Sequence, residues 1–245
     1  MTVSDVAKRT NSSVGSVVRF CQDLGLRGFA DLKLRLAAET TSSARVVPGE
    51  VGVDDTLETV LDKVLTESQD AIASARNTID VASFDNAVSL LAGARRVLCV
   101  GIGTSAPLAQ DIAYRFRTSG VEAEAPSDPH SQHVAARLLG TDAACLAISH
   151  TGQTRETLQT VAAARRAGAG TVAVTSFFHS PLTELVDVTL VAGSRETEFR
   201  LEAVASRIAH LAVLDALNAA ITLTNPERVT QVQQLIGDVL AEHRL

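Results

Sequence analysis

The chain has 245 residues, 46% hydrophobic and 20% charged, and this composition excludes a globally disordered protein. No stretch approaches the roughly 18 apolar residues of a membrane-spanning helix, and the first residues lack the basic flank and apolar core of a secretory signal. Three cysteines, Cys21, Cys99 and Cys145, are far apart without metal-ligand spacing. We therefore expect a cytoplasmic protein that has no metal, no cofactor and no membrane partner.

The net charge of −6 hides a difference between the start of the chain and the rest. Residues 1–40 contain six Lys or Arg and four Asp or Glu, whereas the remainder contains 16 basic and 24 acidic residues. A mildly basic segment attached to an acidic body favours a small DNA-binding module joined to another domain.

Patterning divides the chain into three regions. Residues 1–40 are helical in pattern, and residues 41–55 gather Ser, Thr, Pro and Gly as a linker does. From residue 56 onward, helical and strand patterns alternate, which implies crossover connections and a parallel sheet. We expect a head over 1–40, a linker over 41–55 and a larger domain over 56–245.

The head predicts two short helices joined by a tight turn. Val3, Val6 and Ala7 share one face of the first helix, and the polar residues 10–12 break it. Ser13 can cap a second helix over 14–24, whose apolar stripe contains Val17, Val18, Cys21 and Leu24. Two helices with a short turn fit a major groove of DNA, although an ordinary helical hairpin packed on the body would give the same pattern.

The exposed start of the second helix carries the residue types that contact DNA. Hydroxyls and a helix N-terminus suit phosphates, and an arginine can pair with guanine through two hydrogen bonds. The candidate DNA-binding residues are therefore Ser13, Gly15, Ser16 and Arg19.

The sequence pattern of the body predicts an α/β fold, specifically a three-layer αβα sandwich with a five-stranded parallel sheet. Short apolar runs, typical of strands buried on both faces, lie at 96–101, 144–149, 171–175 and 186–191, with a shorter strand near 121–123. Helical patterns cover 56–78, 83–93 with Ser83 as its cap, 105–119, 131–139, 154–167, 197–223 and the segment from Pro226.

The loop after the first predicted strand is rich in glycine. Gly101–Ser105 follows a buried run and opens a helix, so Gly103 permits close approach of an anion and Ser105 adds a hydroxyl. Gly101–Ala106 also matches the dinucleotide fingerprint, with Glu122 or Glu124 about 20 residues on to hold a ribose. A dinucleotide-binding oxidoreductase is therefore one alternative.

A second loop distinguishes these alternatives. Ser149–Thr154 also lies between a buried run and a helix, and it supplies the hydroxyls of Ser149, Thr151 and Thr154 around Gly152. A nicotinamide enzyme does not need a second hydroxyl-rich loop there, whereas a sugar-phosphate site does. The alternative for both loops is that they are ordinary turns that join a strand to a helix and bind no ligand.

The two regions resemble one known family. Residues 17–33, which include the run Val-Val-Arg-Phe-Cys, are similar to the helix-turn-helix of RpiR-type transcriptional regulators. Ser149–Thr154 resembles the S-x-S-G-x-T signature of sugar isomerase (SIS) domains, with Thr151 in place of the second serine, and Ser105 fits the first-loop serine of that family. The helix around 202–217 also looks like one in RpiR-type SIS domains. Members usually carry further helix before the position of Met1. We expect the head to be N-terminally incomplete; the alternatives are that it is supported by a partner subunit or that its DNA binding is impaired.

The resemblance implies a transcriptional regulator of carbohydrate metabolism that is controlled by a phosphorylated sugar. The effector phosphate would bind Gly103, Ser105, Ser149, Thr151, Gly152 and Thr154, and the head would bind operator DNA. Because operators have paired half-sites, we expect a homodimer or homotetramer, with helix 56–78 and the C-terminal helix as contact surfaces.

Catalysis is the remaining question, because SIS domains also occur in aldose–ketose isomerases, where a general base moves a proton. Candidate bases are Glu196, Glu198, Glu202, His150, His179 and His210, and each also has a structural explanation. We expect a protein without catalytic residues; an aldose–ketose isomerase with a vestigial head is the alternative.

Overall fold

The computed structural model describes residues 2–23, 28–30, 32, 51–193 and 204–243. The chain divides into two compact units, residues 1–49 and 50–245. Residues 41–50 of the expected linker lie outside the described residues, so the boundaries 1–40, 41–55 and 56–245 stay predictions.

The first unit contains two short helices, α1 (Val3–Arg9) and α2 (Val14–Asp23), which pack against each other. Thr2 caps α1 in a capping box with Asp5, and Ser13 accepts a hydrogen bond from the Ser16 amide at 3.0 Å. Between the helices Asn11 has a φ of 49°, the left-handed conformation that asparagine tolerates in a tight turn. The predicted cap and turn are therefore confirmed.

The second unit is built around a five-stranded parallel sheet. Its strands are β1 (Arg96–Val100), β2 (Ala123–Glu124), β3 (Ala143–Ile148), β4 (Gly170–Thr175) and β5 (Val188–Val191). Its helices are α3 (Leu57–Thr78), α4 (Val81–Gly93), α5 (Ala106–Thr118), α6 (Pro129–Arg137), α7 (Arg155–Arg166), α8 (Val204–Thr224) and α9 (Pro226–Glu242). The strand order is β2-β1-β3-β4-β5.

Helices cover both faces of the sheet, because successive residues of each strand point to opposite sides. Val97 and Cys99 of β1 pack with α3, α4, α5 and α8, whereas Leu98 and Val100 pack with α6 and α7. This arrangement confirms the predicted three-layer αβα sandwich.

One predicted helix start was wrong. Asp80, not Ser83, caps α4: the Asp80 carboxylate accepts a hydrogen bond from the Ser83 amide at 2.9 Å and another from the Ser83 hydroxyl at 3.0 Å. A carboxylate is as good an N-cap as a hydroxyl, and the serine three residues later serves as its donor.

Among the described helices, α8 has the length and apolar composition that could span a membrane. Its apolar residues include Ala209, Leu214 and Leu217, which are buried in the layer that α8 shares with α3, α4 and α5. The apolar character of α8 therefore reflects its place in the protein core.

Candidate functional site

The sheet topology brings the two glycine- and hydroxyl-rich loops to the same edge of the body. β1 and β3 are neighbours in register, with Val100 opposite Ala147, so both strands end at the same level. The chain leaves β1 toward β2 on one side and leaves β3 toward β4 on the other. In parallel α/β sheets, ligands bind in the crevice that such a reversal of strand order opens.

The first loop turns tightly after β1. A Cβ at Gly101 would lie 2.7 Å from the Ser105 carbonyl oxygen, and Gly103 has a φ of 61°, so a side chain is strained at both positions. Residues 103–105 form a short 3-10 helix that runs directly into α5, and the Ser105 side chain is half-buried. The loop therefore presents backbone and one hydroxyl at the sheet edge.

The second loop is held by its own hydroxyls and by a neighbouring segment. The Gly152 amide donates to Ser149 Oγ at 3.2 Å, and the Gln153 amide donates to Thr151 Oγ1 at 3.3 Å. Gly152 has a φ of 65°, and a Cβ there would lie 2.2 Å from Ser180 Oγ, so no side chain fits without movement. The Leu182 amide, at 3.1 Å from the Gly152 carbonyl oxygen, closes the loop against that segment.

The helices that follow these two loops begin without a side-chain cap. Neither Ser105 before α5 nor Thr154 before α7 accepts a capping hydrogen bond from its helix. By contrast, six other described helices have a side-chain cap: α1, α2, α3, α4, α6 and α9 are capped by Thr2, Ser13, Thr56, Asp80, Asp128 and Asn225. At α5 the Ala106 amide donates to the Gly103 carbonyl oxygen and Pro107 has no N–H, so the uncapped amides of the first loop are those at the start of the 3-10 helix 103–105. Uncapped amides there and in the first turn of α7, with the positive end of a helix dipole, favour an anion as their partner.

The loops contain no Lys or Arg between Gly101 and Ser105 or between Ser149 and Thr154. An anion at this edge would be neutralised by amides, hydroxyls and two helix N-termini, which is sufficient for a phosphate. No group of three or more His, Cys, Asp or Glu residues suited to a metal ion lies within the described parts of the chain.

Two histidines and a serine form a hydrogen-bonded row beside the second loop. His150 Nδ1 lies 2.7 Å from Ser176 Oγ, and Ser176 Oγ lies 3.0 Å from His210 Nε2. His210 Nε2 also lies 2.9 Å from the Ala192 carbonyl oxygen, which can only accept, so this nitrogen carries the proton. Burial lowers the pKa of His210 to about 4. His210 is therefore neutral at pH 7 and links α8 to the ends of β4 and β5.

The other candidate bases do not join this row. His179 is exposed in the turn before Pro181, and it lines a separate groove of about 370 Å³ with Asp80 and Glu184. Glu196, Glu198 and Glu202 lie outside the described residues.

Sequence reasoning missed two residues at this edge. Ser176 follows β4 directly, and a polar residue after a buried strand was a usable signal. Gln132 is buried on α6, where its amide nitrogen donates to the carbonyl oxygens of Gly101 at 3.1 Å and Pro126 at 2.9 Å. Its pattern in the sequence is that of any polar residue in a helix, so only the structure connects Gln132 to the first loop.

The head presents its candidate DNA-binding residues to solvent. Ser13, Gly15, Ser16 and Arg19 are exposed, whereas Val17 and Cys21 on the opposite face are buried. The Ser13 and Ser16 hydroxyls lie 2.9 Å apart at the start of α2. Leu24, the last residue of the expected stripe, lies outside the described residues.

Comparison with known families matches both units. The helix-turn-helix domain of the rpiR family matches residues 1–43, and the SIS domain matches residues 90–220. The fingerprint-like run Gly101–Ala106 thus lies inside a SIS domain, which argues against the dinucleotide alternative.

Relatives of similar length carry regulator names. An HTH-type transcriptional regulator of Haemophilus influenzae is 28% identical over 248 residues, which cover 100% of this chain and 86% of the relative. A second such regulator, from Caldanaerobacter subterraneus, is 29% identical over 245 residues and 87% of its length is covered.

Among solved structures, the NanR protein of Vibrio vulnificus complexed with ManNAc-6P is similar over the full chain. The TM-score is 0.71 at 25% sequence identity, with 100% of this chain and 87% of NanR covered. Together with the two domain matches, these similarities establish that the chain belongs to the RpiR family of transcriptional regulators, which join a helix-turn-helix domain to a SIS domain.

Proposed function

We propose that this regulator controls carbohydrate metabolism by binding a phosphorylated sugar at the edge formed by Gly101–Ser105 and Ser149–Thr154. Amides and hydroxyls of Gly103, Ser105, Ser149, Thr151, Gly152 and Thr154 would bind the phosphate. The sugar hydroxyls would contact side chains around that crevice. The similar NanR structure contains ManNAc-6P, a ligand of this chemical class.

One observation carries the proposal: the two helices that begin at this edge, α5 and α7, lack side-chain caps, whereas six helices elsewhere in the described residues have them. Orphan amides at a helix start need a partner. A dianion shared by both N-termini would supply it, with the dipoles of both helices oriented favourably.

The DNA-binding part of the proposal rests on the exposed start of α2. Ser13, Ser16 and the amides of the first turn would contact phosphates, and Arg19 would contact a base edge. Gly15 has no atom nearer than 3.7 Å to an added Cβ, so the fold itself does not require glycine there. A helical glycine with free space around it suits close approach of a DNA backbone.

Control by the effector would follow from the geometry of a dimer or tetramer. Recognition helices of a dimer must match half-sites about 34 Å apart or a multiple of that distance. An effector changes operator occupancy only to the extent that its affinities for the two arrangements differ. Such a regulator would work in the cytoplasm, where bacterial operators are.

We assign no catalytic role to the described residues. An isomerase needs a base that reaches the substrate near its working pKa, whereas His210 is 2% exposed, held neutral by burial and hydrogen-bonded on its proton-bearing nitrogen. Turnover of fructose 6-phosphate by the purified protein, lost in Glu202→Gln, would instead favour the isomerase alternative.

The test is a thermal-shift screen of the full chain against phosphorylated sugars, each paired with its unphosphorylated sugar and with inorganic phosphate. A ligand at about 100 times its Kd stabilises the native state by roughly 2.7 kcal/mol, which raises Tm by about 5–10 °C for a protein of this size. The same ligand should change operator binding. If no phosphorylated sugar raises Tm above the phosphate control, the proposed effector class is wrong.

A further inference from the structure

The groove of about 370 Å³ that His179 lines is a second candidate binding site in the SIS unit. It is lined by three parts of the chain: the segment 178–184 after β4, the junction between α3 and α4, and the strand β5. No residue of the two effector loops lines it. Its volume falls within the range of roughly 300–1,000 Å³ that holds small molecules in proteins.

Hydrogen bonds hold the lining of this groove in place. The segment 178–184 is anchored where the Leu182 amide donates to the Gly152 carbonyl oxygen at 3.1 Å. At the end of α3, Thr78 Oγ1 donates to the Val191 carbonyl oxygen at 2.6 Å, which joins the helix to β5. The groove is therefore preformed, as small-molecule sites usually are.

The groove carries two carboxylates and no strong base. Asp80 and Glu184 are exposed, and the lining contains His179 but no Lys or Arg. Hydrogen bonds from the Ser83 amide and then from its hydroxyl lower the pKa of Asp80, so this carboxylate is ionised at pH 7. Within the described parts of the chain, no hydrogen bond or ion pair reaches the Glu184 side chain. A concave surface with this charge attracts cations, in contrast to the neutral loops at the sheet edge.

The residue types of the lining favour an organic cation over a metal ion. Among the described residues, no three His, Cys, Asp or Glu side chains are grouped as metal ligands would be. The groove instead adds the aromatic face of Phe178, which is 59% exposed. A cation within about 6 Å of an aromatic ring is attracted by the negative face of that ring, and the ring also packs against carbon atoms of the ligand.

We propose that this groove binds a small protonated amine, with its ammonium group at the Asp80 and Glu184 carboxylates and its carbon skeleton against Phe178. An aliphatic diamine and an amino sugar share this chemistry. A second ammonium group would use the second carboxylate, whereas sugar hydroxyls would hydrogen-bond to Thr189, another lining residue. The site goes beyond the proposed function, because it takes a cation at residues that the effector phosphate does not use.

The first test is isothermal titration calorimetry of the full chain at pH 7 with putrescine, an aliphatic diamine, and with glucosamine. Butanediol and glucose are the matched uncharged analogues. At least one amine should bind while its analogue does not, and the tighter amine identifies the source of the ligand. A Kd above about 10 mM for both amines, or equal binding of an amine and its analogue, would overturn the proposal.

The second test places the amine in the groove. Glu184→Gln and Asp80→Asn each remove one charge, and asparagine caps a helix as well as aspartate does, so α4 keeps its start. Each variant should weaken amine binding about tenfold, the effect of losing a hydrogen bond to a charged group. Phe178→Ala should weaken it about three- to fivefold. Asp85→Asn on α4 removes the same charge from an exposed residue outside the lining, and it should stay within about twofold.

Two results of these titrations would overturn the proposal. An equal loss in Asp85→Asn and Glu184→Gln would mean that amines are attracted to the acidic protein as a whole. Binding of Mg²⁺ or Ca²⁺ that disappears in Glu184→Gln, with no binding of either amine, would assign the groove to a metal ion. The Tm rise with a phosphorylated sugar should be the same in Glu184→Gln as in the unchanged chain, so the effector proposal is tested separately.

Discussion

The two proposed recognition regions of this protein differ in which atoms would contact the ligand. The start of α2 offers the exposed side chains of Ser16 and Arg19 on the surface of a small helical pair, whose buried residues Val17 and Cys21 lie on the opposite face. The edge of the SIS domain offers backbone amides and inward hydroxyls, held by packing that leaves no room at Gly101 or Gly152.

This difference determines in which region a substitution can change ligand affinity without changing the stability of the fold. A side chain that only reaches outward can be removed without harm to the fold, so its loss changes affinity alone. A loop whose recognition groups are its own backbone cannot be altered without altering its packing. Substitutions of the exposed side chains at the start of α2 should therefore affect DNA binding only, whereas those at the sheet edge should affect stability and effector binding together.

Gly152→Ala should give the largest effect. A methyl group at a φ of 65° that lies 2.2 Å from Ser180 Oγ adds backbone strain to overpacking. We expect a loss of roughly 2–4 kcal/mol in the free energy of unfolding and a fall in Tm of about 5–15 °C. Thermal denaturation measures both. Gly237→Ala on α9, where no atom lies within 4 Å, is the matched control and should melt at or above the original Tm. Equal melting of the two variants would contradict the packing argument.

Arg19→Ala should weaken operator binding by roughly 10- to 100-fold, the usual loss of about 1–3 kcal/mol for a base-reading arginine. Because Arg19 is exposed, Tm and the affinity for a phosphorylated sugar should not change. Fluorescence anisotropy at fixed salt measures the DNA affinity. Gln22→Ala, also exposed but further from the start of α2, should stay within about threefold. A loss shared by both variants would mean that Arg19 reads no base.

Ser149→Ala should lower the affinity for the phosphorylated sugar by roughly tenfold, since a hydrogen bond to a charged group contributes about 1.5–3 kcal/mol. It also removes the acceptor for the Gly152 amide, so a fall in Tm of a few degrees accompanies it. Operator binding without effector should persist. Ser119→Ala removes a hydroxyl that donates to Asn218 at the far end of α5, and it should lower Tm without changing effector affinity.

The pH dependence of stability should show the smallest effect. The pKa of His210 is lowered to about 4 in the native state. As the pH falls, this histidine is therefore protonated near pH 6.5 in the unfolded chain but only near pH 4 in the native state. Stability is therefore full above pH 6.5 and falls as the pH drops toward 4. His210→Gln should reduce that fall by on the order of 1 kcal/mol between pH 7 and 5. His243→Gln, on an exposed residue near the C-terminus, should leave the original slope unchanged. If stability falls with pH as steeply in His210→Gln as in the original chain, His210 is not a buried neutral histidine.

The fold was predictable because each element has a local signal. Continuous apolar runs matched β1, β3 and β4 to within a residue, and α9 began at Pro226 as expected. The short edge strand β2 was placed near 121–123 and lies at Ala123–Glu124, because a two-residue strand has almost no pattern of its own. The start of α4 was predicted wrongly because Asp80 and Ser83 are both good cap residues, so the local sequence does not decide between them.

The candidate site was predictable only in part. Its two loops carried glycine and hydroxyl signals, and parallel topology placed them together. The contacts between residues far apart in the sequence had no such signal. Gln132 donates to the carbonyl oxygen of Gly101, 31 residues earlier, and Ser176 lies between His150 and His210, which come from different segments of the chain. Contacts of that kind depend on how elements pack, which no local spacing encodes.

The lack of Lys and Arg in both loops has a consequence for how the protein responds to ionic strength. DNA affinity includes the release of counterions from neutralised phosphates, so it falls steeply as salt rises. A pocket that holds its anion with neutral dipoles, partly out of reach of mobile ions, has little such dependence. Raising salt should thus detach the head from DNA while the body still holds its ligand, which separates the two equilibria in a single titration.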